Sequence, residues 1–491
     1  MNPISCRFRH LAIFCFFAAI VFFGKLPTLG VPYYWDEMAW ASQARWLSGE
    51  NLLRALPGLR APDAFWGHPP GLHLTLAFFA KIFGFSIILS HLIVVCFAFI
   101  GVWFTFLVGC LLYDTKTWFF AAFFLFLSPM YFAQSGMFLA DLPVTALGVA
   151  TIYFALRGPY WAYLLVATYM VFVKETAIAL LVAWLLYLFG RTRPKTKEDL
   201  LFVAKDTVPL LLIGLFFIWQ KITTGHFFFI YAPTFDIKLF ELTPHLVSKQ
   251  IAEITGWIFI DQHRYLFSAL IALNLIVNRS SRQRPEIWLF LLICAFSGYS
   301  FSVLFFLPRY LLPVLPYLYL LGAWSLLELV RSARCKTVAG LLTLVFMGWS
   351  LANQPFLASA EFNLRYLDVI RVHKEMCELI SSEFADARVL TAWPHTAQLE
   401  QPHLGYVKKS VRVRFVSGKD LRSSSFEEKV ALQQPDLILV STIPVTSGME
   451  ELRAYAVKNS WRLIRRLVNE PVATELYGRP QLAAVHQPNG P

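Results

Sequence analysis

The chain has 491 residues, of which 57% are hydrophobic and only 15% charged, and 46 are Phe. Soluble domains run about 45–50% apolar, so this composition excludes an ordinary soluble protein and indicates a polytopic helical membrane protein. The formal net charge of +12 is no argument for nucleic acid, because most Lys and Arg fall in short loops between apolar segments, where they set topology. Seven Cys are scattered without any CxxC spacing, which indicates neither a disulfide framework nor a metal cluster.

A spanning helix needs about 20 mostly apolar residues, and the apolar runs predict about eleven spans. In chain order these are residues 10–28, 86–112, 118–133, 142–157, 160–173, 176–190, 207–222, 262–278, 286–307, 310–330 and 337–353. The first follows a short basic region and is followed by no clear small-residue cleavage site, so it reads as an uncleaved span. Arg7 and Arg9 precede it, and "RTRPKTKED" (191–199), "NRSSRQR" (278–284) and "RSARCKT" (331–337) are basic loops. Alternating the spans from a cytoplasmic N-terminus puts all of these on the cytoplasmic side, in keeping with the positive-inside rule. The opposite, external side collects the loop 29–85, "QSGMFLADLP" (134–143), "VKET" (173–176), the loop 223–261, "LPRYLLP" (307–313) and everything after residue 354. The stretch "GHPPGLHLTLAFFAKIFG" (67–84) is compatible with a helix lying at the interface.

Beyond residue 354 the composition changes. "ARVLTAW" (387–393), "VRVRFV" (411–416) and "PDLILVSTIP" (435–444) read as strands, and 361–384 and 450–458 read as helices; such alternation predicts a small α/β domain. The expected organisation is a transmembrane domain over 1–355 and an external α/β domain over 356–491.

Ionisable residues at membrane depth are functional candidates by default, although snorkelling weakens the rule near membrane ends. On the external side stand Asp36, Glu37, His68, Asp141, Lys174, Glu175 and Arg309, from five separated parts of the sequence. Asp36 and Glu37 are ordinary loop charges or, amid Tyr33, Tyr34, Trp35 and Trp40, a place for a general base in a lowered dielectric. His68 precedes two prolines that make a rigid extended turn. Asp141 either caps the helix that follows or takes part in chemistry. Lys174 pairs with Glu175 or binds an anion, and Arg309 marks a membrane boundary or clamps a phosphate. The sequence has no Walker loop, GxGxxG, GxSxG or HExxH, so ATP-driven transport and serine hydrolysis have no support.

Taken together these segments resemble the polytopic C-type glycosyltransferases that use lipid-linked sugars, above all the protein O-mannosyltransferase group and its bacterial relatives, including the aminoarabinose transferases. The likeness covers about residues 10–330 and rests on "WDE" with Asp36 and Glu37, "HPP" with His68, "ADLPVTA" with Asp141, "VKETA" with Lys174 and "RYLLP" with Arg309. Gly67 and His68 stand where the aminoarabinose transferases carry an acidic residue and a Lys, and the tail does not match the sugar-binding domain of the eukaryotic mannosyltransferases.

The resemblance implies a transmembrane helical bundle and a polyprenyl-phosphate sugar as donor. The acceptor would be a lipid, glycan or protein on the outer face of a bacterial inner membrane. Asp36 would be the general base with Asp141 as its rival, Glu37 would support it or bind the acceptor, and Lys174, Arg309 or His68 would hold the donor phosphate; a divalent metal is left open. Two other classes compete with this one. A transporter or flippase usually places polar residues near the midplane on broken helices, whereas here they gather at one face. A membrane scaffold would act through the outer domain alone.

Overall fold

The computed structural model describes residues 3–59, 68–113, 117–193, 195–227, 243–300, 306–330, 332–356, 361–415, 427, 430, 433–442 and 449–480. The chain divides into two compact units. One comprises Met1–Leu29, Gln43–Phe85 and Leu89–Gln354, and the other Gly30–Ser42, Ser86–Ile88 and Pro355–Pro491.

The first unit is helical. Its leading elements are α1 (Pro3–Lys25), α2 (Asp36–Gly49, which begins in the second unit), α3 (Gly71–Phe83), α4 (Ile87–Leu112), α5 (Thr117–Leu127), α6 (Pro129–Gln134), α7 (Asp141–Arg157), α8 (Tyr160–Val173), α9 (Ile178–Thr192), α10 (Lys197–Ala204) and α11 (Val208–Thr224). Further helices follow at Pro244–Phe259, Tyr265–Val277, Pro285–Ile293, Leu315–Leu329 and Ala333–Ala352, with a 3-10 segment at Pro308–Val314 before the helix Leu315–Leu329. Each of the predicted spans falls on helix, although residues 301–305 of the segment 286–307 lie outside the described residues.

Among the described residues six segments are long and apolar enough to cross a membrane: Leu11–Thr28, Ile87–Leu112, Glu175–Thr192, Lys197–Thr224, Pro308–Leu329 and Arg334–Ala352. The chain is an integral membrane protein. The other predicted spans are shorter than the sequence suggests, for local reasons. Pro129 starts a new helix after an extended Ser128 and so splits the run 118–133. Gly158 ends α7, and Pro159 is the N-cap of α8, as expected of residues that stop and start helices. At 14 residues, α8 is only about 21 Å long. The helix Pro244–Phe259 lies inside the predicted loop 223–261; the Thr243 side chain accepts from the Leu246 N–H at 3.2 Å, and Pro244 is its first residue, a start signal present in the sequence.

The second unit carries a five-stranded mixed sheet. Its strands are β1 (Val389–Thr391), β2 (Val413–Phe415), β3 (Leu437–Ser441), β4 (Arg462–Asn469) and β5 (Val472–Gly478), in the order β2-β1-β3-β5-β4. β1 runs parallel to β2 and β3, and β5 runs antiparallel to β3 and β4. All five residues of β3 are buried, as in a strand covered on both faces. Ile438 and Val440 pack with Met449, Leu452 and Ala456 of the helix Met449–Lys458. Ser441, on the opposite face, meets His373 of the helix Tyr366–Glu383 at 3.2 Å. The predicted strands and helices of the tail are present. The sequence pattern predicts neither β4 nor β5; in β4, "RLIRRLVN" carries Arg where a buried strand would alternate. β4 is an edge strand, and charge suits an exposed edge. Arg466 also pairs with the buried Glu475 of β5 at 3.3 Å, and Arg453 pairs with the same carboxylate at 2.9 Å.

Two buried histidines make this unit sensitive to acid. The His373 and His395 rings lie 4.2 Å apart. Gln398 joins them: its Oε1 accepts from His395 Nδ1 at 2.8 Å, and its Nε2 donates to His373 Nδ1 at 3.1 Å. Because its Nδ1 accepts, the His373 ring is thereby assigned as neutral. Burial lowers His395 to about 4, and burial, then His395, pushes His373 well below the ordinary histidine value. Both groups are depressed, so the unfolded chain takes up protons that the folded unit refuses. Stability is complete above about pH 6.5 and falls as the pH drops toward 4, with His395 alone contributing a loss of about 3 kcal/mol. Amide exchange of residues 366–400 in the intact protein, corrected for intrinsic rates, should therefore be faster at pH 5 than at pH 7. Equal protection at the two pH values would contradict it.

Candidate active site

In the first unit, the ends of three separated elements bring their charges together. Asp141 is the first residue of α7, directly after the N-cap Ala140. Its carboxylate accepts a 2.6 Å hydrogen bond at Oδ1 from Lys174 Nζ. Arg309 Nε lies 3.2 Å from Oδ2, close enough for an ion pair but not aligned as a hydrogen bond. Asp141 and Lys174 are each 4% exposed and Arg309 is 5%. Charges so buried are normally paired or functional.

The local sequence explains each placement. Lys174 has an extended backbone (φ −159°, ψ 138°) between α8 and the short turn Glu175–Ala177. That break lets the side chain turn toward Asp141. Arg309 follows Pro308 at the start of the 3-10 segment, and the next residue, Tyr310, lies under both cations. Its ring centroid is 4.2 Å from Lys174 Nζ and 5.9 Å from Arg309 Cζ, a cation–π arrangement. Tyr310 belongs to the quoted "RYLLP" but was not among the candidates; an aromatic between a basic residue and an apolar run looks like ordinary membrane-belt composition.

Lys174 and its neighbour Glu175 do not pair with each other. Glu175 Oε2 instead meets His68 Nδ1 at 2.9 Å, which ties the "HPP" turn to the α8–α9 break. His68, read as a reserve for the donor phosphate, is thus already engaged with a carboxylate. Gly71 fixes this junction. A Cβ there would come 2.5 Å from the carbonyl oxygen of Phe172, a main-chain atom that cannot swing aside. Gly71→Ala should push α3 away from α8 and displace His68 relative to Glu175. Misplacement of about 1 Å can cost about 10²-fold in rate, and any turnover at this site should fall by roughly that factor; wild-type turnover in the Gly71→Ala protein would remove this junction from the site.

Asp36 and Glu37 belong to the second unit. Glu37 is buried, and its Oε2 accepts from the Tyr34 N–H at 2.9 Å while its own N–H donates to the Tyr34 carbonyl at 3.0 Å. It therefore closes the first turn of α2. Asp36 is half-buried at the first position of that helix. Trp35, just before it, has φ +48°, a left-handed conformation uncommon for a bulky residue and worth noting at a candidate site. Burial, then the nearby Glu361 and Asp36 carboxylates, pushes the Tyr34 phenol far above its ordinary value.

Two buried cations of the first unit escaped the sequence reading. Lys25, at the end of α1, donates to the Phe132 carbonyl at 2.8 Å and sits 4.3 Å from the Phe132 ring centroid. Arg264 donates to the Trp257 carbonyl and, at 2.7 Å, to Gln262 Oε1. Each looks in the sequence like a snorkelling end residue. Among the described residues no three His, Cys, Asp or Glu side chains are grouped as a metal ion requires.

An open apolar groove of about 940 Å³ runs between α3 and α8. Leu74 and Phe78 of α3 face Leu165 and Tyr169 of α8 across it, and Gly71 and Phe172 line it too. Phe172 stands two residues before Lys174 in the chain; Asp141, Lys174, Arg309 and Tyr310 are not among the groove's lining residues.

No protein-family profile matches the sequence, and no curated protein matches it. The structure is similar to that of ArnT from Cupriavidus metallidurans. The ArnT structure in the apo state matches with a TM-score of 0.58 at 14% identity, covering 97% of this chain and 99% of that one. The structure of ArnT bound to undecaprenyl phosphate matches with a TM-score of 0.55 at 14% identity, covering 94% and 97%. The chain therefore has the polytopic helical fold of the C-type glycosyltransferases, with a small C-terminal α/β domain.

Proposed function

We propose that the protein is a membrane glycosyltransferase that moves a sugar from a polyprenyl-phosphate donor to an acceptor on the outer, periplasmic face of a bacterial inner membrane. The observation that carries this reading is the meeting of Lys174 and Arg309 on Asp141 over Tyr310, in a unit that also holds an apolar groove between α3 and α8. A polyprenyl phosphate is a charge on an apolar chain, and these two features match its two parts. ArnT, whose fold the chain shares, has been crystallised with undecaprenyl phosphate.

In the reaction, an acceptor hydroxyl on a lipid, glycan or protein attacks the anomeric carbon. The bond from that carbon to the phosphate oxygen breaks, the acceptor proton passes to Asp36, and polyprenyl phosphate leaves. Lys174 and Arg309 stabilise the charge that gathers on the leaving phosphate. Asp141 holds the two cations apart from bulk water, and Glu37 shapes the turn that presents Asp36. The basic loops put the N-terminus in the cytoplasm and the second unit outside. Labelling single cysteines at Lys195 and Asn459, in a background without native cysteines, should report opposite sides; the same side for both would overturn this topology.

Ligand binding tests the site directly. Undecaprenyl phosphate at about 100 times its Kd should stabilise the purified protein by about 2.7 kcal/mol, seen as a raised Tm, while undecaprenol at the same concentration should not. Equal stabilisation by the alcohol would show that no phosphate is recognised.

A further inference from the structure

A second, differently built pocket lies at the other end of α7, α8 and α9, about 25 Å from Asp141 by the length of a 17-residue helix. It has a volume of about 570 Å³ and is lined by the end of α7, the start of α8, the end of α9 and the α10–α11 junction. Nothing in the transfer chemistry uses it.

Its floor is a carboxylate. Asp206 is 6% exposed, and its Oδ2 accepts from Trp184 Nε1 at 3.1 Å. It forms no ion pair among the described residues. A buried carboxylate hydrogen-bonded by one neutral donor, with Lys205 near it but in no ion pair with it, leaves room for a further cation. The walls are aromatic. Tyr160 stacks on Tyr163 with centroids 6.0 Å apart, and Trp184 lies 5.6 Å from Tyr187. These walls are held in place. The Tyr163 hydroxyl donates to the Asp206 carbonyl at 2.8 Å and the Tyr160 hydroxyl to the Lys205 carbonyl at 2.7 Å. Aromatic faces around a carboxylate make a receptor for an ammonium group. Cations stand among the lining residues as well. The Lys205 ammonium lies 4.2 Å from the Phe202 centroid and 5.2 Å from that of Tyr160. Arg191 donates to the Tyr187 hydroxyl at 3.2 Å and is itself exposed. Such a pair suits a phosphate.

The pocket thus offers an anion site for an amine and a cation site for a phosphate within one small volume. It lies at the ends of membrane helices, next to the exposed Leu201 and Phe202 of α10. We propose that it binds the headgroup of an ethanolamine phospholipid, with the ammonium on Asp206 between the aromatic rings and the phosphodiester on Lys205 and Arg191. The acyl chains would run along the apolar side of α10. A purely anionic headgroup would set its charge against Asp206.

Native mass spectrometry of the purified full-length protein tests this, using phosphatidylethanolamine and phosphatidylglycerol of equal chain length. The ethanolamine lipid should be retained about tenfold more strongly, and free glycerophosphoethanolamine should not displace it. Asp206→Asn should bring the two lipids to within about twofold of each other. Lys205→Ala should weaken both. Equal or stronger retention of phosphatidylglycerol by the wild-type protein would overturn the proposal, whatever the variants do. So would an Asp206→Asn protein that keeps the preference, and displacement by the free headgroup would assign the pocket to a soluble amine instead. If Asp206→Asn does not fold, Trp184→Phe, which removes the donor to Asp206 and weakens the cage, should lower the preference, and an unchanged preference would count against it.

Discussion

Asp36→Asn should lower turnover by about 10²–10⁴-fold, the usual contribution of a general base, while donor affinity stays near that of the unaltered enzyme. Asn keeps the shape of the side chain and cannot accept the acceptor's proton. Of the adjacent pair, Asp36 is the better choice because Glu37 is buried and committed to the Tyr34 N–H, whereas Asp36 is only half-buried at the helix start. Asp141 is the rival, and the geometry argues against it: both of its oxygens already face cations. The pH profile separates the two. Removing the base should abolish the acidic limb of the kcat profile, and removing a residue that only positions others should lower the curve without reshaping it. If Asp141→Asn loses the limb while Asp36→Asn keeps it, the assignment must be exchanged.

Arg309→Ala should raise the donor KM by roughly tenfold or more. A hydrogen bond to a charged group is worth about 1.5–3 kcal/mol net, and each 1.4 kcal/mol is a factor of ten. Lys174→Ala should act in the same direction. Each change also strips a partner from the buried Asp141, and breaking a buried pair destabilises by about 3–5 kcal/mol, so Tm should be recorded with every KM. Lys174→Met and Arg309→Met combined with Asp141→Asn leave no orphan charge; the triple variant should recover stability without recovering donor affinity. An Arg309→Ala enzyme with wild-type donor KM would remove Arg309 from the phosphate site.

Where the sequence carried strong local signals, it predicted the helices closely. Gly158 and Pro159 mark the α7–α8 boundary, and the uninterrupted apolar run of α4 leaves little choice of structure. The signals fail where tertiary pairing decides. "RLIRRLVN" is a strand because β5 supplies a partner and Glu475 a counter-charge, neither of which its own pattern declares. The same holds in the site. Lys174 finds Asp141 thirty-three residues away rather than the adjacent Glu175, and His68 finds Glu175 across 107 residues. The side chains were visible as candidates; their partners were not, because the α8–α9 break that reorients Lys174 is a backbone feature without a Pro or Gly to announce it.

The proposed transfer differs from lipid flipping in one product. Purified protein in proteoliposomes should be given a panel of polyprenyl-phosphate sugars together with lipid, glycan and protein acceptors, and both products should be counted. A transferase releases one polyprenyl phosphate for each sugar that appears on the acceptor, and Asp36→Asn should abolish both together. Passage of intact polyprenyl-phosphate sugar across the bilayer, with no polyprenyl phosphate released from any donor, would contradict the proposed function.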